Sequence, residues 1–421
     1  LSSDLHKLKF LLLLTLQYCD KYQVELSPGK TKLQLYAPSS LSLDRDYWIS
    51  ATSLQIDGTP IKLVDDTEHV GVIRSTDGNL PHILQRFTSH NRALHSVLHV
   101  GIARGHRGNP AASIRVEKMY GVPVLLSGTA SLVLKQAEYD SIDAHYKKKL
   151  QCLMKLHDKT PDAVVYFLSG SLPASATLHI KQLTLFSMIT RLPHNILHII
   201  AKYILTTSND SSKSWFFHIR SLTLQYGLPH PLILLENPPS KFSFKKLVSS
   251  KVMDFWERKL RQSSIPLKSL RYFNPNFMSL KTPHPLWTSC GDNSFEISKA
   301  IIQAKFLSGR YRTDSLLSHF EESVNPQCSL CKQQVTGSLE HLLVLCDSLL
   351  QCRSKQFESL EKCSKSSEVS KKLINETYNK SITHFVQLLV DCTTMPLVLE
   401  AKKIEPNILN EILKFARTWC F

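Results

Sequence analysis

In the stretch CSLCKQQVTGSLEHLLVLC, residues 328–346, two residues separate Cys328 from Cys331, nine more lead to His341, and four more to Cys346. Thiolate and imidazole are the ligands that tetrahedral zinc prefers, and a CxxC pair on a turn is the usual way for a chain to supply two corners. Asn325-Pro326 just ahead favours such a turn. The second pair lies within the spacings that zinc modules use. One geometric obstacle stands out. SLEHLLVLCDSLLQ has a helical pattern, and on an ideal helix His341 and Cys346 would sit about 140° apart. Both can bind one ion only if the helix starts or distorts near them. Cys352 and Cys363 are reserve candidates for the fourth corner.

Two other chemistries compete. Cys328 and Cys331 have the spacing of a redox pair, but that motif follows a strand in a βαβ unit and none is near. The four residues can also be ordinary buried types that lie close together, with His341 a core histidine. The combination of four residues of ligand type within one short stretch favours metal. Four protein ligands leave no open position for a reacting water, so the expected site is structural and its segment should unfold without metal.

The rest of the chain must position that site. At 421 residues it has room for two or three domains. With 51 Lys and Arg against 35 Asp and Glu, the net charge is +16, which favours a polyanionic partner, nucleic acid first and an anionic membrane surface second. The early apolar run Phe10 to Leu16 is far shorter than the roughly 18–20 residues of a spanning helix, so no membrane segment is expected. Ten cysteines are too sparse for a disulfide framework and fit a reducing cytoplasm or nucleus. The chain begins with Leu rather than Met and reads as truncated there.

Residues 4–23 carry Leu5, Leu8, Leu12, Leu16 and Cys19 at helical spacing. A turn at Ser27-Pro28-Gly29, a hairpin at Asp57-Gly58 and a strand EHVGVIR follow, so residues 1–75 read as one helix with several antiparallel strands. From Leu80 the pattern is helical, with Ile83, Phe87, Leu94, Val97 and Leu98 on one stripe. Between Pro81 and Lys118 there is one acid, Glu117, against a run of basic or titratable residues: His82, Arg86, His90, Arg92, His95, His99, Arg104, Arg107 and Lys118 among them. A solvated helix face explains such a run; the near absence of carboxylates points instead to a polyanion-facing surface. Helices continue over 76–235. Pro229, Pro231, Pro238 and Pro239, then Pro275, Pro283 and Pro285, oppose regular structure and read as linkers, and 236–298 reads as a proline-rich and basic linker region. Within it KFSFKKLVSSKVMDFWERKLRQ reads as a helix with a basic outside, its aromatic residues mostly core. The metal module spans 299–354 and a helical tail 355–421.

The segment from Lys299 to Arg353 resembles the zinc-binding region that follows the reverse transcriptase of non-LTR (LINE-type) retrotransposons: a helix ending in Leu-Ser/Thr-Gly-x-Tyr, here Leu307, Ser308, Gly309 and Tyr311, then C-x-x-C and H-x-x-x-x-C. Ser27, Pro28, Lys30 and Thr31 are similar to the polymerase segment after the Tyr-x-Asp-Asp turn, and His69-Val70-Gly71-Val72 to the next strand, usually Tyr-Leu-Gly-Val. The resemblance implies an α-rich α+β chain: a small antiparallel palm remnant, a helical thumb and connector, a small zinc module and a helical tail. It implies structural Zn²⁺, RNA or DNA as partner, and Lys30 near nucleotide phosphates. Polymerisation needs two Mg²⁺ ions on palm carboxylates, and the chain has no Tyr-x-Asp-Asp turn; Asp65-Asp66, flanked by Val64 and Thr67, reads as a loop. Mg²⁺ is expected only if a palm lies upstream. The expectation is therefore a nucleic-acid-binding fragment that does not polymerise; a longer active RNA-directed DNA polymerase and a degenerate helical protein are the alternatives.

Overall fold

The computed structural model describes residues 5–36, 54–98, 108–207, 213–331, 333–362 and 367–421. His99, Arg104, Arg107 and Cys363 lie outside the described residues. The chain is mostly helical with a few short strands, as an α-rich α+β sequence requires.

Helix α1, Leu5–Lys21, forms where the apolar spacing places it. Leu8, Leu12, Leu16 and Cys19 are half-buried, while Phe10, Leu13 and Tyr18 are exposed. Among the described residues six two- to four-residue strands follow: β1 Lys32–Leu33, β2 Gln55–Ile56, β3 Thr59–Pro60, β4 Lys62–Leu63, β5 Asp66–His69 and β6 Val72–Ser75. They do not build one antiparallel sheet. β2 pairs with β3 and β5 with β6 in antiparallel hairpins, but β1 pairs with β4 in parallel. The first hairpin turns at Asp57 and Gly58, with φ of 48° and 75°, as a two-residue loop requires. The second corrects the expected strand His69-Val70-Gly71-Val72. Val70 and Gly71 have φ of 51° and 73° and form the turn itself. Gly71 suits this conformation, whereas the β-branched Val70 is strained in it.

Helix α2, Leu80–Leu98, turns Ile83 and Leu94 inward. α3, Pro110–Val116, is capped by Asn109, whose side chain accepts from the Ala111 N–H at 2.8 Å. The longer helices beyond are α4 Gln136–Met154, α5 Asp162–Ser169, α6 Ala174–Thr190, α7 Ile196–Thr207, α8 Trp215–Gln225 and α9 Lys241–Ser264. The C-terminal part adds α10 Ser294–Leu307, α11 Leu350–Lys362, α12 Glu368–Lys380, α13 Ile382–Asp391, α14 Pro396–Ile404 and α15 Ile408–Cys420. Phe186, Ile219, Phe244 and Val248 centre a smaller core among α6, α8 and α9. The larger core is continuous from Ile83 through Tyr146, Phe167 and Trp287 to Phe306, Phe385 and Trp419.

That continuity bears on the stretches expected to be linkers. Pro231 and Pro285 each occupy the first position of a short helix, where a missing N–H costs nothing. Trp287 is fully buried, and the His284 N–H donates to the Leu168 carbonyl at 3.0 Å. At Gly170, φ is 57° and an added Cβ would stand 2.1 Å from the Thr282 carbonyl. Pro285 starts a helical turn at the end of a stretch that packs on α5 through Thr282 and His284, whereas Pro231 starts one that buries Leu234 and Leu235 in the smaller core. In α9 the aromatics divide as a basic-outside helix demands: Phe244 is buried, Phe242 is exposed, and the half-buried Trp256 donates its indole N–H to the Tyr226 hydroxyl at 3.2 Å. The tail is equally integrated. The buried Gln303 amide of α10 donates to the Leu389 carbonyl of α13 at 2.7 Å, and Arg417 of α15 pairs with Glu296 at 3.4 Å. No single helix among the described residues is long and apolar enough to cross a membrane.

Candidate metal centre

Four pieces of chain build the centre. The motif Leu307-Ser308-Gly309 is the end of α10: the Arg310 N–H donates to the Lys305 carbonyl and the Gly309 N–H to Phe306, a Schellman closure. It needs glycine twice over, because φ is 62° and a Cβ would meet the Ser269 carbonyl at 2.1 Å. The Tyr311 ring then packs on Phe306, with centroids 4.1 Å apart. This sends the chain toward a narrow hairpin, in which the Cys328 N–H donates to Val335 at 2.9 Å and Gly337 to Pro326 at 2.8 Å. Cys328 starts its tip and Cys331 follows on it. Asp314 braces that tip by accepting from the Ser329 N–H and hydroxyl at 2.9 and 3.0 Å.

The second pair comes from the turn after the hairpin. Ser338 caps it, its hydroxyl accepting from the His341 N–H at 3.2 Å. The turn His341–Leu345 is wound as a π-helix, closed by the Cys346 N–H donating to the His341 carbonyl at 2.8 Å. This removes the obstacle of the 140° offset. An i→i+5 bond widens the turn until residues five apart return to one side. The Leu343 carbonyl accepts the Trp419 indole N–H at 2.9 Å, and the Arg353 guanidinium donates to the Cys346 carbonyl. The tail therefore holds the turn from behind.

One ligand atom from each of Cys328, Cys331, His341 and Cys346 lies within 4.8 Å of the others. Cys328 Sγ stands 3.9 Å from Cys346 Sγ, and Cys331 Sγ 3.3 Å from His341 Nε2. Ligands on a tetrahedral zinc stand about 3.8 Å apart when both are sulfur, so the cluster has the dimensions of a metal cage. Cys328, His341 and Cys346 are buried. Burial opposes ionisation of Cys328, but the N–H groups of Cys331 and Leu330 and the neighbouring thiols hold it below the ordinary thiol range. Burial pushes the Cys346 thiol up, and Cys328 pushes it further. Two thiolates this close would repel each other, a repulsion that a bound cation removes. Cys352 is exposed on α11, outside the cluster.

The basic run fares differently. His82 is buried: its Nδ1 accepts from the Ile73 N–H at 3.2 Å and its Nε2 faces the Ser127 carbonyl at 3.1 Å, the pattern of a neutral ring. His90 is buried between Glu117 at 2.8 Å and His145 at 3.0 Å. Lys118 donates to the Gly170 carbonyl at 2.5 Å, and burial lowers its pKa to about 8. Arg86 is half-buried, its Nε without a partner. Only Arg92 and His95 of the described nucleic-acid candidates on α2 are exposed; Lys30 is exposed on the turn before β1. His82, His90, Glu117 and Lys118 face inward because α2 is surrounded by β6, the Glu117–Gly121 turn and α4.

Sequence spacing does not disclose Asp314, Ser338, Arg353 or Trp419. Ser338 alone leaves a local trace, as a cap residue three positions before His341. Compared with protein-family models, with curated proteins and with solved structures, the chain finds no match in any of the three.

Proposed function

We propose that the Cys328, Cys331, His341 and Cys346 cluster holds one structural Zn²⁺ and that the chain is a nucleic-acid-binding part of a LINE-type reverse transcriptase, without a polymerase centre of its own. The observation that carries the reading is the convergence of four ligand atoms within 4.8 Å of one another. Three thiolates and an imidazole select zinc over hard cations such as Mg²⁺. All four positions are protein-filled, so the ion would hold the hairpin and the π-turn together rather than activate water. In this reading residues 1–75 are the palm remnant and α2 to α8 the thumb and connector. The net charge of +16 and the exposed Lys30, Arg92 and His95 support an RNA or DNA partner.

Two measurements on the full chain test this. Metal analysis should find one zinc per chain, lost in Cys328→Ser and in His341→Ala; zinc that survives both changes refutes the ligand set. Nucleic-acid binding should weaken by orders of magnitude between about 50 and 200 mM salt. Absence of binding at the low end sinks the nucleic-acid reading.

A further inference from the structure

A groove of about 570 Å³ lies beside the metal centre, and its wall includes Ser338, Leu339 and Glu340, the residues just before His341. A second concavity of about 520 Å³ adjoins it through Lys268 and Arg271, which line both. The first is lined by Lys268, Arg271 and Arg310 and by Tyr272, Tyr311 and Phe320. Its only carboxylate, Glu340, is already engaged, at 2.8 Å from Arg271 and 2.5 Å from the Tyr272 hydroxyl. Lys268 and Arg310 have no acidic partner among the described residues, and the Arg310 Nε is buried without any acceptor. Phe320 is 65% exposed at the groove, so its ring face is open to a stacking partner beside the cations.

From this lining we infer that the groove takes a single strand of RNA or DNA. Unpaired cations that share a channel with aromatic faces are what an unpaired strand uses: phosphates on Lys268 and Arg310, a base stacked on Phe320. A duplex hides its base faces and would leave Phe320 unused. A free anion would need neither the ring nor the second concavity. Because Ser338, Leu339 and Glu340 of the wall run directly into His341, a bound ion would anchor one side of the groove. The inference rests on the nucleic-acid reading above and narrows it to one surface and one form of the polymer.

Fluorescence anisotropy of the full chain with a labelled short oligo(dT), oligo(U) and a duplex of the same length tests it at about 50 mM salt. The wild type should prefer the single strands. Phe320→Ala should lose about fivefold or more of that affinity with duplex binding unchanged, and Phe320→Trp should restore it. The pair Lys268→Gln with Arg310→Gln should also weaken binding and flatten its salt dependence by about one or two in slope. Zinc content must stay at the wild-type level in every variant, which shows that the cage is intact. Unchanged single-strand affinity in zinc-replete Phe320→Ala and Lys268→Gln/Arg310→Gln chains overturns the groove and leaves the broader reading standing, as does a wild-type preference for duplex. A wild type that binds none of the three overturns both.

Discussion

The Cys/His hairpin and helix α2 both stand out by spacing, one for ligand types and the other for positive charge, yet the fold treats them oppositely. At the hairpin, the ligand atoms of Cys328 and Cys331 lie within 4.8 Å of those that His341 and Cys346 bring from the π-turn after it. Along α2 the run divides: His82 and His90 go into the core, while Arg92 and His95 stay outside. The difference lies in what each pattern encodes. A CxxC turn and a nearby His-x4-Cys constrain each other through short backbone loops, so few conformations bring one pair near solvent and the other pair away from it. A census of charge on a helix says nothing about which side later elements will cover, and here β6, α4 and the Glu117–Gly121 turn cover much of it.

The sharpest way to break this contrast is to test the proposed metal. Chelation, or Cys346→Ser, should melt the hairpin and destabilise the chain by at least about 4 kcal/mol, since a structural ion's binding energy is folding energy. Hydrogen exchange at residues 326–346 would read it, and protection unchanged by chelation would count against a metal-held fold. On the α2 side, His90→Ala should cost about 3 kcal/mol by leaving the buried Glu117 carboxylate without its partner. A thermal melt shifted by no more than an exposed-site variant would mean that His90 is not a core residue.

Gly309→Ala comes next, at about 2 kcal/mol, because it strains φ and drives a Cβ into the Ser269 carbonyl. Denaturant titration should show the loss, and with it a weaker zinc affinity. An acid effect of similar or smaller size should come from His179, whose pKa burial lowers to about 3. The unfolded ring takes up its proton near 6.5 and the folded ring does not, so stability is full above that value and falls as pH drops from about 6.5 toward 3. The loss should be on the order of 1–2 kcal/mol near pH 5, and His179→Gln should flatten the profile. The smallest change belongs to Arg92→Gln with His95→Gln. Stability should stay within about 0.5 kcal/mol, and any effect on nucleic-acid binding should appear as a salt slope reduced by about one.

Local chemistry was legible wherever a few neighbouring residues settle the outcome. Asp57-Gly58 makes the hairpin turn that the dipeptide calls for, and α1 half-buries the stripe that its leucines define. The same rule misreads Val70-Gly71, where β-branching argues for strand and the need to reverse the chain wins. Prolines around 231 and 285 look like breaks because their neighbours are irregular; only the burial of Leu234 and Leu235 in the smaller core and of Trp287 in the larger one shows that each starts a helical turn in the core. The supports of the metal centre were invisible for a related reason. Trp419 lies far along the chain from the Leu343 carbonyl that it holds, and no local pattern encodes a contact of that sequence separation.

The sequence by itself determined the ligand types and their order, the glycine that ends α10, the surplus of positive charge and the helical character of the chain. These depend on side-chain chemistry and on backbone preferences over a few residues. Tertiary structure decided that His341 and Cys346 share a side, through a π-turn held by Trp419 and Arg353, and that His82 and His90 of the basic run are core. It also decided that Lys268, Arg310 and Phe320 share one groove. Those outcomes depend on which surfaces meet when the apolar core closes, and burial is a property of the whole chain rather than of any stretch within it.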